Sequence, residues 1–135
     1  MTGFSQARLA PITRLLFWAA LVFALVMALS PKPPITVTMV DKWQHMSAFG
    51  TLTVFACAGW PQARLLRIAE RLSFLGAMIE LVQSIPILHR DCDIMDWIAD
   101  TAIILGVVAV VALARRGQAR ILSLRQDSFV TQAVP

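Results

Sequence analysis

Residues 12–30 carry a single charge, Arg14, and beyond it read almost entirely Leu, Ala, Val, Phe and Trp. At about 1.5 Å per residue such a helix reaches about 28 Å, close to the about 30 Å hydrocarbon core of a bilayer. It is apolar on every face, as a helix in lipid is and a surface helix of a globular domain is not. Pro31, Pro33 and Pro34 end the run, because proline cannot continue a helix. A cleaved signal peptide is the competing reading, with Arg8 and Arg14 ahead of the run and Ala28-Leu29-Ser30 resembling a cleavage site. The run is long for a signal peptide, proline would follow the cut directly, and more apolar runs come after, so a retained span is expected.

Three further runs follow. The segment 31–40 forms a connecting loop, partly extended where apolar residues alternate with threonine from Ile35 to Val40, and Asp41 is placed to cap a second helix over 42–60. That helix holds Ser47, Ala48, Gly50, Thr51, Thr53, Ala56 and Ala58, small residues that let neighbouring backbones come close, so it is expected at the centre of the bundle. A third span is predicted over 72–87, interrupted by Glu80 and Gln83, and a fourth over 94–114, with Asp96 and Asp100 in its first two turns. Asp91 and Asp93 precede the fourth and suit a helix N-terminus. Trp18, Trp43, Trp60 and Trp97 read as interface anchors. The expected architecture is an all-α, four-transmembrane-helix bundle: a cytoplasmic N-terminal segment 1–11, a membrane domain 12–114 and a basic tail 115–135, interfacial or disordered. The composition agrees. The chain is 58% hydrophobic and 15% charged, against about 45–50% and about 25% in soluble domains.

Four spans divide the polar segments into two sets. Arg8, Arg14, Arg64, Arg67, Arg71, Arg115, Arg116, Arg120 and Arg125 share one side, and Lys32, Lys42 and Arg90 the other. Nine against three puts both termini in the cytoplasm by the positive-inside rule. The basic residues flank apolar runs and do not interleave with aromatics, so the bilayer is the expected partner and nucleic acid is not. The carboxylates show the reverse bias: Asp41, Glu80, Asp91, Asp93, Asp96 and Asp100 fall at the outer side.

Helical rise sets their depths. Counting from the predicted ends, His45 lies about 6 Å in, Glu80 about 10 Å, and Asp96 and Asp100 about 3 and 9 Å. A charge facing lipid costs at least about 2.5 kcal/mol near mid-span, so these side chains should turn inward and meet. Their spacing permits it: Asp41 and His45 are four residues apart, as are Asp96 and Asp100, and Glu80 and Gln83 are three apart. Lys42 and Arg90 supply the nearby positive charge, and an arginine fork fits carboxylate or phosphate alike. His45, Glu80 and Asp96 are the candidate catalytic residues; Asp41, Lys42, Gln83, Arg90 and Asp100 are the candidate ligand-binding residues. No set of His, Cys or acidic residues shows a recognised metal spacing, and Cys57 and Cys92 read as unreactive thiols, so neither metal nor cofactor is expected.

The elements Asp41-Lys42-x-x-His45, Glu80-x-x-Gln83, and Arg90 followed by Asp96 and Asp100 together resemble the VanZ-like family of bacterial membrane proteins, over residues 29–106. The sequence departs from that pattern in having Leu88-His89 where a Pro-Gly is common, and Ile103 where a glycine is usual, with Gly106 following later. The resemblance implies a four-helix membrane domain with a polar site at its outer end, and no particular reaction.

Two readings stand at this stage. In one, the outer polar layer binds or processes an amphiphile with a phosphate or sugar headgroup, such as a lipid-linked precursor of the cell envelope. The carboxylates outnumber nearby cations, which favours it. In the other, the same residues only fasten the helices of a non-catalytic accessory protein. Ion-coupled transport is disfavoured, because four helices without a repeat are few for alternating access.

Overall fold

A computed structural model of the chain describes residues 2–30, 38–85 and 93–133, with side chains over 9–30, 43–85 and 93–126. These form four α-helices: α1 (Thr2–Leu29), α2 (Thr38–Gly59), α3 (Leu65–Gln83) and α4 (Ile94–Ala133). No strand occurs among the described residues. Leu9–Leu29 in α1 and Ile94–Gln126 in α4 are long and apolar enough to cross a membrane by length and composition. Among the described residues neither α2 nor α3 meets that standard, in keeping with Gln44 and His45 in the one and Arg67, Glu70, Arg71 and Glu80 in the other.

The helices begin earlier, or run on longer, than their apolar runs. α1 starts at Thr2 and carries Pro11 within it. α2 starts at Thr38, so Asp41 lies inside its first turns instead of capping it, and 38–40 are helical, not extended. The rest of the predicted extended stretch, 35–37, lies outside the described residues. α3 begins at Leu65, seven residues before the predicted span, and stops at Gln83, where the Ser84 N–H returns to the Glu80 carbonyl at 3.0 Å. α4 continues through the predicted interfacial or disordered tail as helix to Ala133. In α3 and α4 the added residues are rich in Leu, Arg and Ala, strong helix formers whether or not a bilayer surrounds them, so helical propensity carries the backbone past the apolar stretch.

The order is up-down-up-down. α2 packs against α1 on one side and α4 on the other, α3 packs on α4, and lighter contacts join α2 and α1 to α3. The expected central place of α2 is thereby met. The core draws on all four helices: Leu52 and Ile104 are fully buried, with Phe49, Ala56, Ile68, Leu72 and Ile79 around them and Phe17 and Ala28 of α1 joining. Large apolar side chains also cover the outside. Leu15, Phe23, Val110 and Leu113 are all about two-thirds exposed, a degree of outward apolar surface that soluble monomers rarely carry.

One end of the bundle is basic. The last carbonyls of a helix lack partners within it and carry its negative pole. At the end of α2, Arg14 Nε donates to the Gly59 carbonyl at 2.7 Å, and Arg115 Nη2 to the Cys57 carbonyl at 3.1 Å. Arg14 also lies 5.5 Å from the Trp60 ring, which meets Phe17 edge-on at 5.2 Å. Gly59 allows the approach, since a Cβ there would come within 3.3 Å of the Arg14 backbone nitrogen. Arg14→Ala is expected to lower unfolding stability by about 1–2 kcal/mol. Arg14→Lys should recover only part of it, since a lysine lacks the planar fork; denaturant titration of the purified protein checks both.

Candidate functional site

The opposite end gathers the acidic residues, where α1 and α3 finish and α2 and α4 begin. α4 starts from a cap: Asp93 Oδ1 accepts the Met95 N–H at 2.9 Å, as its position ahead of the helix predicts. The Asp93 N–H in turn donates to Glu80 Oε2 at 3.1 Å. Glu80 is buried to 7% exposure near the end of α3, so its carboxylate ties the end of one helix to the start of the next.

Two turns into α4, Asp100 is 2% exposed. Its Oδ2 lies 3.7 Å from His45 Nδ1 on α2. Its Oδ1 is buried and has no hydrogen-bond partner among the described residues. Asp96, one turn earlier on the same face, is half-buried. Gln83, 3% exposed, donates from Nε2 to the Ala28 carbonyl at 2.9 Å, closing the open end of α1.

The structure places His45 beside Asp100, Glu80 against the N-terminus of α4, and Gln83 against the end of α1. The backbone of Asp41 and Lys42 belongs to α2, while their side chains, and Arg90 altogether, lie outside what the structure describes. Among the described residues no group of three or more His, Cys, Asp or Glu side chains converges as a metal site.

Three residues not singled out as site residues support this end. Ser73 Oγ and Thr101 Oγ1 are 2.8 Å apart, and the Trp97 indole N–H donates to the Ser73 carbonyl at 3.0 Å. Trp97 is therefore a half-buried strut between α3 and α4, not an interface anchor. The helical period could have found this face: Ser73, Gly76, Glu80 and Gln83 fall at i, i+3, i+7 and i+10. Gly76 keeps it slim, its missing Cβ lying 3.4 Å from both the Phe49 and Trp97 rings.

Comparison with protein-family models, with curated proteins and with solved structures finds no match to the chain.

Proposed function

We propose that this chain is a multi-pass protein of a bacterial cytoplasmic membrane, VanZ-like in type, with four spans and both termini inside. In this reading the acidic end of the bundle faces outward and holds the headgroup of a lipid-linked cell-envelope precursor. The exposed apolar flanks of α1 and α4 and the basic end around Arg14 and Arg115 support the membrane and its orientation. The bracing of α2 and α3 by α1 and α4 supports their crossing as partners despite their polar residues.

The observation that carries the site is Asp100. A network serving only to pack helices satisfies its buried polar atoms, because each one left unmade costs about 1–3 kcal/mol. Asp100 sits at the junction of α2 and α4 with one oxygen toward His45 and the other unpartnered among the described residues. That leaves one carboxylate oxygen available to a donor from outside the described residues. An imidazole accepts at one nitrogen and donates at the other. With Nδ1 turned to Asp100, Nε2 is the nitrogen left to exchange a proton with a bound headgroup, and Asp100 orients the ring. Lys42 and Arg90 are assigned to the anionic part of the headgroup, and Asp41 and Asp96 to its polar surroundings.

A second reading has its own support. Gln83 and Glu80 act as fasteners between helix ends, as an accessory protein without chemistry would need. Asp100→Asn and Glu80→Gln separate the two, because each keeps size and one acceptor oxygen while removing the ionisable group. In a strain lacking the gene, both variants should reach wild-type abundance in the membrane and fail to restore the wild-type pool of lipid-linked precursors. Full restoration by both would leave only the fastening role.

A further inference from the structure

A groove runs between the outer halves of α1 and α2. Ala20, Ala24 and Ala28 stand four residues apart on one face of α1, and opposite them α2 presents Ala48 and Leu52. Small residues facing one another usually bring helices into contact. Here they leave a groove of about 440 Å³, floored by Leu75 and Ile79 of α3. Its polar side chains, Gln44, His45 and Ser47, gather at one end, with Thr51 farther along. The Ser47 hydroxyl already donates to the Gln44 carbonyl at 2.9 Å.

Physical chemistry restricts what fills it. The groove is open along one side and many times the size of a water molecule, so it takes up what surrounds the bundle. Water needs two to four polar partners, which most of the groove does not offer. The occupant is therefore apolar along most of its length and polar at the His45 end. From Ala20 to Ala28 the groove runs about 12 Å along the helix axis, close to the about 15 Å depth of one leaflet. A second groove of similar volume, on the other flank of α2, is lined by Met46, Gly50, Val54 and Ile103, with Trp43 at its mouth. It has no ionisable residue in its lining and so offers no charged partner to a headgroup.

We propose that the α1–α2 groove holds one hydrocarbon chain of a lipid of the outer leaflet, entering sideways from the bilayer with its headgroup end at His45. This rests on the membrane reading above and names the substrate class of that site: an amphiphile recognised by its tail as well as its head. Ala24 and Ala48 set the bore.

The test uses the full-length protein in vesicles of phosphatidylglycerol in which a fraction of the lipid carries a diazirine on one acyl chain. Irradiation followed by peptide mass spectrometry should place the label on the facing walls of α1 and α2, well above that in the second groove. Ala24→Leu or Ala48→Leu should reduce groove labelling to the level of the outer faces of α1 and α4. A control substitution on an exposed face of α4, Ala109→Leu, should leave it unchanged. Asp100→Asn should keep the labelling while failing in the precursor assay, since the tail site does not depend on the carboxylate. Labelling spread evenly over the outer faces overturns the groove and leaves the headgroup site to its own test. Groove labelling together with full activity of Asp100→Asn and Glu80→Gln keeps a lipid-holding groove and removes the chemistry at its end. If either leucine variant unfolds, lysophosphatidylglycerols with octyl, dodecyl and hexadecyl chains competing against the label decide the matter: competition that does not rise with chain length overturns the proposal.

Discussion

His45→Ala is expected to destabilise the bundle by about 3–5 kcal/mol, because it removes the neighbour of a carboxylate that has nowhere else to turn. Asp100 is 2% exposed, its Oδ2 faces His45 Nδ1 at 3.7 Å, and its Oδ1 has no partner among the described residues. Without the imidazole both oxygens stand in a dry junction between α2 and α4. The double variant His45→Leu with Asp100→Leu should behave in the opposite way. A buried polar pair replaced by apolar side chains of similar size is often neutral, or stabilising by about 1–4 kcal/mol, because two desolvation costs vanish together. Chemical unfolding followed by tryptophan fluorescence measures all three forms. A single variant within about 0.5 kcal/mol of wild type would mean that Asp100 is solvated or paired from elsewhere. In the precursor assay the double variant should be inactive although it folds, which separates what the pair does for the bundle from what it does for a ligand.

The helix count was legible in the sequence because each break between the runs is sharp. Three prolines follow α1, and charged or proline-bearing turns separate the others. The boundaries were not. An apolar run marks where a helix is buried or faces lipid, and the backbone continues wherever propensity allows, which is why α4 passes Arg115, Arg116 and Arg120 without ending. Asp93 could be placed at the N-terminus of α4 from the sequence, and it caps that helix because a capping residue acts within two residues of itself. His45 with Asp100 could be anticipated from matched depth, because antiparallel neighbours bring equal depths together. Rotation about the helix axis is a finer quantity. Depth alone could not tell that Gln83 would face α1, or that Glu80 would reach the Asp93 N–H; both depend on where α3 stops, four residues short of the predicted end. The void between α1 and α2 was hidden for a similar reason. Alanines four apart are the pattern of close packing, and only the relative tilt of the helices decides whether they close or gape.

Leu105→Asp is expected to cost about 3–4 kcal/mol of membrane insertion, whereas Leu124→Asp on the same helix should stay within about 0.5 kcal/mol of wild type. Both leucines face outward, at 49% and 61% exposure, so neither substitution opens a cavity in the core. The difference lies in their surroundings alone. About 20 residues of helix cross the hydrocarbon, and from Ile94 that places Leu105 near mid-span. Leu124 falls about 16 Å beyond the far boundary, past Arg115, Arg116 and Arg120. In water the two positions would respond alike, since a surface Leu→Asp away from special features changes stability little. In a bilayer the mid-span carboxylate must either be neutralised or drag water inward, and α4 has no cation on that stretch to meet it. The measurement is the fraction of each variant recovered in alkali-washed membranes, with unfolding of the recovered protein alongside. Equal tolerance at both sites would remove α4 from the bilayer and, with it, the leaflet depth on which the headgroup site and the acyl groove both depend.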